Sequence, residues 1–316
     1  MSDKLLSYIS LNDEQRKKIN ETAPSYEIIE SLSEVEDISE VKVIYGWDRD
    51  LAAELLNKTE NKLEWVQLAS AGVDYVDLNK LEELGVTLTN ASGIHGHAIT
   101  ESIFGMILNY TRQIGHSLIM QRQGKWSPAS EATELNQKTM LIVGTGAIGT
   151  QTGKVAQAFG MKTIGVNRSG RPVEHMDELV TQDQLDDVLP QADFVINILP
   201  LTDETDGLFD LGKFRAMKSS AVFVNVGRGQ TVVTADLLKA LDENWLEYAA
   251  LDVVHEEPLP KKHPIYSRKD VLLTPHISGS LEDYNASAFP IFLENLRAFV
   301  NGQEIPENIV DYEAGY

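Results

Sequence analysis

Short apolar runs alternate with amphipathic stretches through the first part of the chain. The runs at 41–45, 63–68 and 86–89 have the length and the β-branched content of buried strands. Residues 50–57, which lie between two of these runs, predict a helix. Strands that alternate with helices are typical of a parallel sheet with helices on its faces. The pattern therefore predicts an α/β fold.

The middle and the end of the chain continue this alternation. Apolar residues recur at helical spacing over residues 98–113, which predicts a long helix with one packed face. Residues 287–300 predict a last amphipathic helix. Between these helices, further strands are predicted at 140–143, 162–166, 193–199, 221–226, 248–254 and 271–274.

A glycine-rich turn follows the strand predicted at 140–143. Gly144, Gly146 and Gly149 have the spacing of a dinucleotide-binding turn, and a helix is predicted directly after them at 150–159. Gly144 permits a sharp turn, Gly146 lets a pyrophosphate approach the backbone, and Gly149 lets the helix pack close to the strand. The first N–H groups of that helix attract phosphate. The alternative is a strand–turn–helix connection without a ligand.

The loop after the next strand bears on the choice of cofactor. NAD sites usually place Asp or Glu about 20 residues after the glycines. Here the loop reads Asn167, Arg168, Ser169, Gly170 and Arg171, without an acid. A guanidinium pairs with a 2′-phosphate through two hydrogen bonds, so we expect NADP to be preferred, with NAD possible. Alternatively, Arg168 is a solvated loop charge that stacks on adenine.

The predicted nucleotide-binding segment lies in the middle of the sequence, with further α/β segments before it and a helix after it. This order predicts a domain that is inserted into another domain. We expect a NAD(P)-binding Rossmann domain at 99–281 and a substrate-binding domain made of 1–98 and 282–316. The chain would cross between the domains twice, and ligands tend to bind in the cleft between two such domains.

Composition narrows the functional classes. The 316 residues fit one large or two ordinary domains, and the net charge of −21 argues against nonspecific nucleic-acid or anionic-membrane binding. The chain has no Cys, which excludes disulfides and thiolate catalysis. No apolar stretch is long enough for a membrane span, and no leader pattern opens the chain, so we expect a cytoplasmic protein.

Side chains suited to catalysis follow three predicted strands. Arg228 comes after the strand at 221–226, Glu257 follows the strand at 248–254, and His276 follows the strand at 271–274. Open parallel sheets bind ligands at the carboxyl ends of their strands. An arginine, a carboxylate and a histidine at that edge could clamp an anion and transfer a proton.

The remaining histidines have no spacing that suggests a metal, and no metal is predicted. His95 and His97 flank Gly96, where they would line a pocket or cap a helix. The alternative is that they contact substrate or nicotinamide.

Taken together, the motifs resemble the D-isomer-specific 2-hydroxyacid dehydrogenases, and in particular an NADP-type member close to the glyoxylate/hydroxypyruvate reductases. The resemblance extends over residues 65–299. Its motifs lie at 69–74, 89–93, 144–149, 199–202, 227–229, 252–258 and 274–276.

The resemblance implies a fold and a set of roles. It implies two Rossmann-like or flavodoxin-like domains with parallel sheets, and a homodimer whose seam would be residues 98–120. Arg228, Glu257 and His276 would be catalytic, and Arg228 and His276 would also bind substrate. The N–H groups of Ala71, Gly72 and Val73 would complete the clamp for the substrate carboxylate. The cofactor would contact Gly144, Thr145, Gly146, Ala147, Ile148, Gly149, Asn167, Arg168, Ser169, Arg171, Leu199, Pro200, Thr205, Val226, Gly227, Arg228, Asp252, His276 and Gly279.

Within that set, Asp252 and the carbonyl of Val226 would bind the carboxamide of nicotinamide. The alternative for Asp252 is a loop carboxylate that caps a helix.

The implied reaction is hydride transfer between NADPH and a small 2-keto acid, with His276 as the acid/base. Two alternatives stay open: a glyoxylate/hydroxypyruvate reductase, and a non-catalytic NAD(P)-sensing protein of the corepressor type. Formate and phosphoglycerate dehydrogenases are related classes. The sequence leaves open which 2-keto acid is used and in which direction the reaction runs.

Overall fold

The computed structural model describes residues 3–31, 40–48, 56, 62–128 and 131–315. They form two compact units, Met1–Ile94 with Leu281–Tyr316, and His95–Ser280. The boundaries expected from the sequence lie within four residues of these. The helix predicted at 50–57 lies outside the described residues except for Leu56.

The first unit is built on a five-stranded parallel sheet. Its strands follow the order β2-β1-β3-β4-β5, which is the flavodoxin-like order. The strands are β1 (Asp3–Ser7), β2 (Tyr26–Ile29), β3 (Val41–Tyr45), β4 (Trp65–Gln67) and β5 (Thr87–Thr89). Helix α1 (Asp13–Thr22) follows β1, and helix α2 (Leu78–Glu83) precedes β5. All four strand pairings are parallel.

The second unit is built on a seven-stranded parallel sheet in the order β12-β11-β10-β9-β6-β7-β8. Its strands are β6 (Thr139–Val143), β7 (Lys162–Asn167), β8 (Glu178–Thr181), β9 (Phe194–Asn197), β10 (Val222–Asn225), β11 (Tyr248–Leu251) and β12 (Val271–Leu273). Its helices are α3 (Gly96–Thr111), α4 (Ile114–Arg122), α5 (Ala147–Ala158), α6 (Leu185–Val188), α7 (Leu211–Ala216) and α8 (Thr234–Asp242).

The middle strands of this sheet are buried on both faces. Every residue of β9, β10 and β11 is buried, and two separate apolar clusters cover the two sides of the sheet. This explains why the sequence shows continuous apolar runs here rather than alternation. The chain order reverses between β6 and β9, and ligands bind open sheets at such a reversal.

Helix α9 (Tyr284–Val300) belongs to the first unit, although it comes last in the chain. Phe292 stacks on Tyr45 with 4.0 Å between ring centroids. The Asn295 amide donates to Gln67 Oε1 at 2.9 Å. Residues far apart in sequence therefore complete one core. No helix in the described parts of the chain is long and apolar enough to cross a membrane.

Candidate active site

The glycine turn lies at the end of β6, at the reversal of the sheet. Gly144 has φ +107°, and a Cβ on Gly149 would lie 2.2 Å from the Gly144 carbonyl oxygen. Both positions therefore require glycine. A Cβ on Gly146 would meet nothing within 4 Å, and no side chain caps α5, which begins at Ala147. Open space in front of uncapped N–H groups fits a pyrophosphate.

The loop after β7 is tied to this turn by Asn167. Its amide donates to Thr145 Oγ1 at 3.0 Å and to the Arg171 carbonyl at 3.1 Å, while its oxygen accepts the Gly170 N–H at 2.6 Å. Arg168, like its neighbours Ser169 and Arg171, is exposed. An exposed, acid-free loop with two arginines fits a cofactor that carries a 2′-phosphate.

The segments after β9 and β10 pack against each other. A Cβ on Gly227 would lie 2.5 Å from the Leu199 carbonyl oxygen, and the Val226 N–H donates to the Asn197 carbonyl at 3.1 Å. The structure thus brings Leu199, Val226 and Gly227 together at adjacent strand ends. Thr205 is buried, and its hydroxyl donates to the Pro200 carbonyl at 2.6 Å, so it closes its own loop.

Arg228 follows directly in this segment. Its Nη1 donates to the Gly227 carbonyl at 3.0 Å, and its own carbonyl accepts the Thr231 hydroxyl at 2.6 Å. A Cβ on the next residue, Gly229, would lie 1.9 Å from the Val254 carbonyl oxygen. This close packing fixes the backbone that carries the arginine against the segment that carries Glu257.

Glu257 and His276 form a hydrogen-bonded pair. The Nδ1 atom of His276 lies 2.6 Å from Glu257 Oε2, and Oε1 of the same carboxylate accepts the Val254 N–H at 3.0 Å. The His276 side chain is half exposed. Because Nδ1 is engaged, Nε2 is the ring nitrogen available for proton exchange with a ligand.

Asp252 anchors the loop that carries His276. Its buried carboxylate accepts the Thr274 hydroxyl at 2.5 Å and the N–H groups of Ile277 at 3.0 Å and Ser278 at 2.9 Å. The His276 N–H donates to the Asp252 carbonyl at 2.8 Å. The sequence does not predict this role, since nothing in the spacing of Asp252 and residues 274–278 indicates it. The expected contact with a carboxamide stays a prediction.

His95 is a further histidine of this unit, and the positive charge of Arg228 acts on it. It is buried, precedes α3, and makes no side-chain cap hydrogen bond. A Cβ on Gly279 would lie 3.4 Å from its Cδ2 atom. Burial, and to a lesser extent the positive charge of Arg228, lowers the pKa of His95 below its usual value. The sequence suggested a pocket-lining or capping role for His95. It did not predict that the charge of Arg228 acts on this histidine.

In the first unit, four consecutive backbone carbonyls of the loop after β4 accept hydrogen bonds. The carbonyl of Ser70 accepts the Ala91 N–H, and the carbonyl of Val73 accepts the Val76 N–H, both at 2.9 Å. The carbonyl of Ala71 accepts the Asn90 amide at 3.0 Å, and that of Gly72 accepts the Ser70 hydroxyl at 2.9 Å.

All four carbonyls of this loop are therefore engaged inside the unit. Within the described residues, the N–H groups of Ala71, Gly72 and Val73 donate to no acceptor. We call these three groups the N–H nest. Clustered free donors of this kind suit a carboxylate or another anion.

Asn90, which supports the nest, is itself held by the last segment of the chain. The Asn308 amide donates to the carbonyls of Asn90 at 3.2 Å and Ser92 at 2.9 Å. The Asn90 N–H donates back to the Asn308 carbonyl at 3.2 Å. The support of the nest thus includes residues from both segments of the first unit.

Comparison with known proteins adds to this geometry. Residues 104–278 match the family described as D-isomer specific 2-hydroxyacid dehydrogenase, NAD binding domain. The glyoxylate reductase of Aeropyrum pernix is 34% identical over 260 residues, which cover 80% of this chain and 77% of that protein.

Solved structures agree with the sequence comparison. A D-isomer specific 2-hydroxyacid dehydrogenase family protein from Aeromonas salmonicida subsp. salmonicida is 33% identical, with a TM-score of 0.85 over 99% of this chain and 100% of that chain. The NADPH-dependent glyoxylate/hydroxypyruvate reductase of Sinorhizobium meliloti, solved with NADP and sulfate, is 27% identical. Its TM-score is 0.83, with all of both chains covered.

Proposed function

This chain belongs to the D-isomer specific 2-hydroxyacid dehydrogenase family, and from that premise we propose that it reduces a small 2-keto acid to the D-2-hydroxy acid with NADPH. The membership confirms the resemblance drawn from the sequence motifs and makes the chain an oxidoreductase. The contact of 2.6 Å between His276 Nδ1 and Glu257 Oε2 carries the proposal, because a carboxylate-paired imidazole is suited to proton transfer.

Each polar group of the candidate site has a role in this reaction. NADPH supplies the hydride when it is bound. His276 donates a proton from Nε2 to the carbonyl oxygen, where negative charge develops. Glu257 orients the ring and stabilises the imidazolium. Arg228 binds the substrate carboxylate and polarises the carbonyl. The N–H nest of the first unit is suited to bind a carboxylate as well.

Among possible substrates, glyoxylate and hydroxypyruvate are the ones we propose first. The relatives from Aeropyrum pernix and Sinorhizobium meliloti carry these activities in their names. A non-catalytic, cofactor-sensing function is less well supported, since such a protein has no need for a paired histidine. The combination of Arg228, Glu257 and His276 supports catalysis.

A panel of 2-keto acids tests both the reductase function and the cofactor-sensing function. We expect turnover of glyoxylate, hydroxypyruvate or a larger 2-keto acid by the purified protein. His276→Gln should lose about 10²–10⁴-fold in kcat and retain its Kd for NADPH. The exposed His255→Gln is the matched control and should remain active. Full activity in His276→Gln would contradict the assigned acid, and NADPH binding without turnover of any keto acid would favour the sensing function.

The proposed preference for NADPH rests on Arg168 and on the absence of an acid in residues 167–171. The structure solved with NADP from Sinorhizobium meliloti supports it. Arg168→Asp should invert the preference, because a charge-assisted contact of about 1.5–3 kcal/mol would be replaced by repulsion. Lys154→Asp on the exposed side of α5 makes the same charge change elsewhere and should leave the preference intact. Equal kcat/KM with NADPH and NADH in the unmodified enzyme would disprove the preference.

We also propose that the protein pairs with a second copy of itself through α4. None of the residues of α4 is buried, and Ile114, Leu118 and Ile119 expose much of their apolar surface. Trp126, which follows the helix, is fully exposed. Exposed large apolar side chains on one helix support an interaction site there. Light scattering should give the mass of a dimer, and Leu118→Glu should reduce it to that of a monomer. A monomeric unmodified protein would refute the pairing.

A further inference from the structure

The direction in which the N–H groups of the nest point depends on the carbonyl groups of the same peptides. A trans peptide is planar, and its C=O and N–H bonds point in opposite directions. The Gly72 carbonyl and the Val73 N–H belong to the same peptide. A contact that fixes the Gly72 carbonyl inside the unit therefore also fixes the Val73 N–H on the outer side of the loop.

The fixing contact comes from Ser70 and, behind it, from Tyr75. The Ser70 hydroxyl donates to the Gly72 carbonyl at 2.9 Å and is also hydrogen-bonded to the Tyr75 hydroxyl. A serine hydroxyl has a single proton. Because Ser70 gives that proton to Gly72, Tyr75 must be the donor to Ser70 Oγ. The two hydroxyls thus form a directed chain of hydrogen bonds from Tyr75 through Ser70 to the Gly72 carbonyl. The peptide of that carbonyl carries the Val73 N–H of the nest.

Tyr75 is suited to this task because its ring is held by packing. The ring lies against the apolar cluster of the first unit, which contains Leu68, Val73 and Leu88. Tyr284 at the start of α9 is close enough to interact electrostatically with Tyr75. Burial, and to a lesser extent Tyr75, raises the pKa of Tyr284 to about 12, so this neighbouring phenol stays neutral near pH 7.

We propose that Tyr75, acting through Ser70, is a positioning residue that orients the N–H nest for the carboxylate of the substrate. This inference rests on the proposed function, in which the nest binds a 2-keto acid. In this role Tyr75 acts on the nest through Ser70. Its effect falls on the binding of a carboxylate and leaves the proton transfer at His276 and the cofactor site unchanged.

The test is Tyr75→Phe, which keeps the ring and removes the hydroxyl. The KM for the best 2-keto acid and the Ki for oxamate, a carboxylate that resembles the substrate, should both rise about three- to tenfold. This is the range expected when one hydrogen bond of ordinary strength is lost. The value of kcat and the Kd for NADPH should change less than about twofold, since neither depends on the nest.

Four further variants separate positioning from a general loss of stability. Ser70→Ala should match Tyr75→Phe, whereas Ser70→Thr, which retains a hydroxyl, should remain near the unmodified enzyme. The double variant of Tyr75→Phe and Ser70→Ala should lose no more than either single variant, because both break one chain. Tyr312→Phe removes another phenol of the same unit, one that donates to the Val86 carbonyl at 2.5 Å, and should leave the KM unchanged.

Two results would overturn the inference. One is an unchanged keto-acid KM in both Tyr75→Phe and Ser70→Ala, and the other is a parallel rise in the Kd for NADPH. Either would leave the activity of the unmodified enzyme, and therefore the proposed function, intact. An unmodified enzyme that turns over no 2-keto acid would instead overturn the proposed function and this inference together.

Discussion

Arg228 places a positive charge in a chain with a net charge of −21. Its guanidinium is planar and can contact a carboxylate through two parallel hydrogen bonds, whereas a lysine offers only a point charge. We therefore expect Arg228→Lys to lose about ten- to a hundredfold in kcat/KM for the keto acid, with the Kd for NADPH little changed. Steady-state kinetics and fluorescence titration measure the two quantities. Loss of NADPH binding with an unchanged keto-acid KM would show that Arg228 serves the cofactor.

His95 makes the stability of the second unit depend on pH. An ordinary histidine accepts a proton near pH 6.5, but burial and Arg228 lower the pKa of His95 in the folded protein. Below that pH, the unfolded chain therefore binds more protons than the folded protein, and the free energy of unfolding falls as the pH drops. The free energy of unfolding continues to fall until the pH reaches the pKa that His95 has in the folded protein.

His95→Gln removes the proton site and should flatten this decline. Urea unfolding at several pH values between about 5 and 7 would measure it. The exposed His97→Gln is the control for loss of a neighbouring histidine. The explanation fails if the slope is the same in His95→Gln as in the unmodified protein.

The sequence identifies single residues of the site better than their contacts. Arg228, Glu257 and His276 could be named because each follows a predicted strand, and the structure brings Glu257 and His276 into contact. The anchoring of residues 274–278 by Asp252 could not be predicted. It joins residues 22 to 26 positions apart. Two of its donors, at Ile277 and Ser278, are backbone N–H groups, which leave no trace in side-chain identity.

At the scale of single elements, the turn between β6 and α5 permits a matched pair of substitutions. Gly149→Ala places a methyl group 2.2 Å from the Gly144 carbonyl oxygen, so it should destabilise the second unit and abolish NADPH binding. Gly146→Ala meets no protein atom within 4 Å, so it should keep its Tm and still lose NADPH affinity, because the methyl group occupies space needed by the pyrophosphate.

Thermal unfolding and calorimetric titration of the two variants distinguish these effects. Unchanged NADPH affinity in Gly146→Ala would show that the pyrophosphate does not bind at this turn.

Strands inside the large sheet were the most predictable elements. The runs at 140–143 and 162–166 correspond to β6 and β7, because both faces of these strands need apolar residues. The run at 248–254 is longer than β11, which ends at Leu251, since buried residues continue into the loop that carries the site. Strand β8 was missed because it lies at the edge of the sheet and none of its residues is fully buried.

At the scale of the whole molecule, the two units differ in how the chain builds them. Residues 95–280 form one continuous unit with its own sheet and its own apolar clusters. A fragment of these residues should therefore fold alone and bind NADPH. Residues 1–94 lack α9, and with it the Phe292 ring that stacks on Tyr45, so this fragment should not unfold cooperatively.

Circular dichroism during heating tests both fragments. Addition of a peptide with residues 281–316 should restore a cooperative transition to fragment 1–94. A cooperative transition in fragment 1–94 without the peptide would contradict the expectation.

The hydrogen bonds between Asn308 and Asn90 also affect when activity can first arise during protein synthesis. The ribosome adds Asn308 218 residues after Asn90. At about 5–20 residues per second, this takes on the order of ten to forty seconds. Residues 95–280 are synthesised within that interval, so the second unit is complete in sequence before Asn308 is added. A chain released shortly after residue 280 should therefore bind NADPH without using a substrate, because Asn308 is absent from it.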